Sequence, residues 1–101
     1  MATISSLVRA YGSLGRDQTS QDIVAVSGRI VSSYLEGRRL RFSVLNDGTA
    51  ELQVIITPDR LGQDGWEQAA RLTVGQQMSV SGAMTRTRRG VLSILAVSLA
   101  E

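Results

Sequence analysis

Two short runs of arginine carry the clearest chemistry in this sequence: Arg38, Arg39 and Arg41, then Arg86, Arg88 and Arg89. A guanidinium is a planar fork of donors that fits phosphate oxygens and stacks on bases. Two such runs brought side by side would make a track for a phosphodiester backbone. All eleven basic residues are arginine, and the formal net charge is only +2. Other chemistries fail on inventory. With no histidine and no cysteine there is no disulfide, no thiolate and no usual zinc cluster. The nine acids (Asp17, Asp22, Glu36, Asp47, Glu51, Asp59, Asp64, Glu67 and Glu101) are scattered. Pairs such as Asp59 and Asp64 fall in turns or at a helix start, where Asp is favoured as a cap. Serine and threonine are plentiful, but none has a base to activate it. Gly62-Gln-Asp-Gly65 is too short for a phosphate-cradling loop. The expectation is a binding protein with no catalytic residues, no metal and no cofactor.

The elements that must position these arginines follow from periodicity. With 101 residues, 43% of them apolar, the chain has room for one folded core. No stretch approaches the roughly 18 apolar residues of a membrane span. Met1 to Arg16 lack the charged and apolar regions of a signal peptide, so a cytoplasmic protein with no membrane partner is expected. Ile4, Leu7, Val8 and Tyr11 recur at helical spacing and predict a short helix within residues 3–15, stopped by Gly12. Arg16 to Asp22 reads as a loop, which makes residues 1–22 an N-terminal helix and linker and residues 23–101 the main domain.

From Ile23 the period changes to two. Ile23 to Leu35 is a long strand whose Gly28 marks a bulge or sharp bend. Glu36-Gly37-Arg38 is a turn, Arg39 to Asn46 a second strand and Asp47-Gly48-Thr49 a tight turn. Glu51 to Thr57 is a third strand, with Leu52, Val54 and Ile56 on one face and Glu51, Gln53 and Ile55 on the other. Pro58 ends it. A short helix is expected from about Gly65, because Gly62 and Gly65 weaken its start; Trp66 in it is a core or capping residue. Gln76 to Arg86 and Val91 to Leu99 are the last two strands, joined by Arg88-Arg89-Gly90.

The order β-β-β-α-β-β with a leading helix predicts an all-β fold, a five-stranded Greek-key barrel of the OB type with one helix between the third and fourth strands. Closure removes the raw edges that such short strands would leave in an open sheet. In an OB barrel the two arginine-bearing turns flank the ligand face, where oligonucleotides and oligosaccharides bind.

Residues 4–99 resemble the N-terminal anticodon-binding OB domain of class II lysyl-tRNA synthetases. The likeness is carried by Tyr11-Gly-Ser-Leu, Val26-Ser-Gly-Arg-Ile30, Phe42-Ser-Val-Leu-Asn-Asp47 followed by Glu51-Leu-Gln-Val54, then Val74-Gly75, Val80-Ser-Gly82 and Thr85-Arg-Thr-Arg-Arg-Gly90. It departs at Ser33, where the family carries a basic residue, and at Val91, where it carries an acid. The resemblance implies an aromatic that stacks on an anticodon base and a glutamine that reads the base edge. By position these are Phe42 and Gln53, with Tyr34 beside Ser33 able to stack as well. Simple alternation of Leu40, Phe42 and Val44 would instead make Phe42 a core residue. The outward placement is taken here, because Gln53 falls on the outer face by pattern alone. The expected partner is tRNA or other single-stranded RNA. The alternative is a protein-interaction or dimerisation domain, forming a homodimer or serving a separate synthetase-like protein, with Val44, Ile55 and Val91 as its apolar surface.

Overall fold

The computed structural model describes residues 2–100; Glu101, counted among the acids above, lies outside them. Helix α1 (Ile4–Tyr11) is capped by the Thr3 side chain, which accepts from the Ser6 N–H, and it ends at Gly12. Strands β1 (Thr19–Leu35), β2 (Arg41–Asn46), β3 (Glu51–Ile56), β4 (Gln77–Arg86) and β5 (Leu92–Ala100) follow, with helix α2 (Pro58–Ala70) between β3 and β4. The strands close in the order β1-β2-β3-β5-β4, antiparallel except for the parallel β3–β5 contact. This is the five-stranded OB-type barrel expected from the sequence.

Alternation fills the interior. Val26, Ile30, Leu45, Leu52, Val54, Ile56, Met78, Val80, Met84 and Ile94 are all at most 2% exposed. Removing one of the larger of these side chains would cost about 2–5 kcal/mol. Ile4 and Leu7 of α1 join the same core, so the leading helix packs onto the barrel. Gly82 of β4 lies directly against the Leu95 carbonyl, leaving no space for a Cβ. The β4–β5 register slips beside it, between Ser81 and Gly82, and the barrel turns a corner there.

Three local expectations are corrected. The first strand begins at Thr19, not Ile23. Thr19 pairs with Thr85 across the ladder, and their hydroxyls meet at 2.8 Å, so β4 extends the strand through polar residues whose side chains are largely solvated. Where a bulge or sharp bend is expected at Gly28, the bulge falls at Val31, at the β1–β2 register shift between Ile30 and Ser32. Gly28 serves instead as a point of close approach: a Cβ there would stand 3.0 Å from the Asn46 carbonyl oxygen. The helical stretch before β4 opens earlier than expected, with a turn at Pro58 capped by Thr57. Gly62 breaks it at φ 83° and ψ 164°, so the helix expected from about Gly65 is its second segment. Trp66 is partly buried and packs against the core, as its assignment to the capping helix required.

Candidate nucleic-acid interface

The Val31 bulge decides which β1 side chains point outward. Val26, Gly28 and Ile30 point inward; after one extra residue the parity of β1 reverses, so Ser33 pairs with buried Ser43 and Tyr34 pairs with Phe42 on the outer face. On β2, Ser43 and Leu45 are buried while Phe42 and Val44 lie outside, which settles the two readings of Phe42 in favour of the outer face. Gln53 sits opposite Val44 on the same outer face of β3, beside buried Val54. The Tyr34 and Phe42 rings lie with centroids 5.4 Å apart and planes tilted by 33°.

Tyr34, Phe42 and Gln53 line a groove of about 310 Å³, together with Glu36 and Leu40 from the β1–β2 turn and Thr87, Arg88, Arg89 and Val91 from the β4–β5 hairpin. Aromatic faces, an amide and two guanidinium groups therefore converge from turns some fifty residues apart in the chain. That combination can stack a base, hydrogen-bond its edge and neutralise a phosphate. A second open depression, about 400 Å³, is lined by Ser27–Arg29, Val31, Asn46–Gly48 and Gln77. It offers no aromatic face, and Arg29 Nη1 there donates to the Gly75 carbonyl at 2.8 Å.

The structure divides the six clustered arginines. Arg88 and Arg89 are exposed at the groove; Arg88 Nε lies 3.5 Å from Asp17 Oδ2, with both side chains largely solvated. Arg38 is exposed at the β1–β2 turn, outside the groove lining. Arg39 pairs with Asp59 of α2. Arg41 shares the inward parity of Ser43: its Nη1 donates to Ser33 Oγ at 3.4 Å, and its Nε is buried without a hydrogen-bond partner among the described residues. Arg86 is a structural bolt rather than a free phosphate ligand. Its guanidinium donates to the carbonyls of Leu14 at 2.6 Å, Gly90 at 2.9 Å and Gly12 at 3.0 Å. These charge-assisted bonds occupy three of its five N–H donors and fix the guanidinium between linker and hairpin.

Sequence reasoning missed Glu36, Leu40 and Thr87 as groove residues, although each lies in or beside an arginine run. Of the apolar surface expected at Val44, Ile55 and Val91, Val91 is 41% exposed, whereas Ile55 is buried beside Phe42. No group of three or more potential metal ligands occurs among the described residues, and none of their helices is long and apolar enough to cross a membrane.

The family described as tRNA_anti-codon, the OB-fold nucleic acid binding domain, matches residues 24–100, which contain the whole groove. This chain belongs to that family. Among relatives of this OB-fold domain, the lysine–tRNA ligase of Mycobacterium bovis is 38% identical over 98 residues, covering 93% of the chain and 19% of the ligase. The lysine–tRNA ligase of Rhizobium etli is 32% identical over 92 residues, covering 91% and 18%. That of Xylella fastidiosa is 34% identical over 77 residues, covering 76% and 15%. The chain thus spans a fifth or less of the length of the curated relatives it matches. The likeness to lysyl-tRNA ligases read from the sequence is shown by these matches.

Proposed function

We propose that this OB-fold domain binds the unpaired bases of a tRNA anticodon loop in the 310 Å³ groove and contributes no bond-making chemistry. Phe42 and Tyr34 provide the stacking platform, Gln53 reads a base edge, and Arg88 and Arg89 hold the phosphates, with Arg38 at the outer rim. The observation that supports this most directly is the placement of Phe42, Tyr34 and Gln53 on one outer face beneath the hairpin arginines. Anticodon recognition fits that arrangement, because single-stranded bases are held by aromatic stacking and by bonds to their Watson–Crick edges. The ligand would be a lysine tRNA, met in the cytoplasm. The domain would serve either within a synthetase or beside a separate synthetase-like protein.

The test is a backbone-amide NMR titration with a lysine-tRNA anticodon stem-loop. Shifts concentrated at Tyr34, Phe42, Gln53, Arg88 and Arg89 are expected. Shifts confined to the depression around Arg29 and Gly48, or none at all, would overturn the assignment.

A further inference from the structure

The linker between α1 and β1 is bolted to the β4–β5 hairpin at several points. Arg86 donates to Gly12 and Leu14 on the linker side and to Gly90 on the hairpin side. The Asp17 N–H donates to the Arg86 carbonyl at 2.8 Å, and the Arg86 N–H returns to the Gln18 carbonyl at 3.0 Å. Thr85 Oγ1 donates to the same Gln18 carbonyl at 2.9 Å. Linker and hairpin are therefore tied to each other along their length. The Arg16 side chain comes to the hairpin as a result: its Nε lies 3.5 Å from where a Cβ on Gly90 would stand. Arg16 is exposed and next in space to the segment that carries Arg88, Arg89 and Val91 into the groove.

We infer that the nucleic-acid interface extends onto this linker, with Arg16 as a third phosphate-binding guanidinium beside Arg88 and Arg89. The inference rests on the binding reading above. Arg86 acts as a positioning residue that holds the two segments together. Asp17 tempers the track: its carboxylate faces Arg88 at 3.5 Å and must yield that guanidinium when a phosphate arrives. Asp17 also sits at φ 62°, a left-handed conformation that asparagine adopts readily, so Asp17→Asn removes the charge while preserving the backbone.

The experiment measures binding of a fluorescein-labelled lysine-tRNA anticodon stem-loop from about 50 to about 200 mM salt. It compares the wild-type chain with Arg16→Ala, Arg16→Lys, Asp17→Asn and, as a distant control, Arg71→Ala. Arg16→Ala should weaken binding about fivefold and lower the slope of log affinity against log salt by about 0.7–1, one phosphate contact's worth. Arg16→Lys should restore the slope, and Asp17→Asn should strengthen binding about twofold at low salt. Arg71→Ala should change neither. If the wild-type chain binds while Arg16→Ala keeps wild-type affinity and slope, the linker is not part of the interface and the groove assignment stands. If the wild-type chain does not bind, both readings fall together.

Discussion

Tyr34 and Phe42 face each other across the β1–β2 ladder with ring centroids 5.4 Å apart, both on the outer surface of the barrel. A single extra residue, Val31, puts them there by reversing the side-chain parity of β1 after Ile30. The pair forms a broad apolar platform, and Tyr34 is 51% exposed, so the surface stands ready for a flat ligand.

Phe42→Ala should therefore weaken binding of a single-stranded loop by about 1–3 kcal/mol, roughly fivefold to 150-fold. Its melting temperature should shift little, because Phe42 is not among the core side chains. Parallel anisotropy titration and thermal melting check this. A collapse in stability with affinity per folded molecule unchanged would assign Phe42 a packing role instead.

Arg86 and the pair Arg88 and Arg89 should separate cleanly in the same two measurements. Arg86→Ala leaves the carbonyls of Gly12, Leu14 and Gly90 without their charged donor and should cost about 1–3 kcal/mol of stability. Arg88→Ala with Arg89→Ala should leave the melting temperature within a degree or two. That double variant should flatten the salt dependence of binding by about 1.4–2 in slope.

Asp47 ties the β2–β3 turn to the start of α1. Its Oδ1 accepts from the Thr49 hydroxyl at 2.6 Å and the Thr49 N–H at 2.9 Å, and its Oδ2 accepts from the Ile4 N–H at 2.8 Å. The Thr49 hydroxyl bond, then the Ile4 N–H, hold its carboxyl down from 3.8 to about 2. Because the folded-state value lies below the unfolded one, the stabilisation is complete above about pH 4 and is lost as pH falls toward 2. Asp47→Asn should lower stability by about 1–2 kcal/mol at pH 7 and blunt the loss between pH 4 and 2. Denaturant melts across that range would show it.

Gly82 admits no side chain, since a Cβ would run into the Leu95 carbonyl. Gly82→Ala should cost at least about 2 kcal/mol or block folding, measurable by chemical denaturation.

The barrel was legible in the sequence because its signals are local. Alternation in Glu51–Ile56 and Gln77–Arg86, the Asp47-Gly48 turn and the helix before β4 each mark an element without reference to the others. The parity of Tyr34 was not legible. A bulge at Val31 depends on how β1 must bend to pair with β2 at one end and β4 at the other, and valine gives no hint of it. Likewise six arginines on two turns look alike in sequence. Only the packing of the α1–β1 linker against the hairpin shows that Arg86 is consumed by backbone carbonyls while Arg88 and Arg89 stay exposed at the groove. Arg16 was hidden for the same reason, lying in a stretch read as loop.

The measurement that bears most directly on the account is a titration of the labelled lysine-tRNA anticodon stem-loop beside a scrambled-loop control at two salt concentrations. Binding that weakens with salt and prefers the native loop is the expected result, with the preference lost in Gln53→Ala. No binding to either loop at low salt would contradict the account and turn attention to a protein partner for the same face.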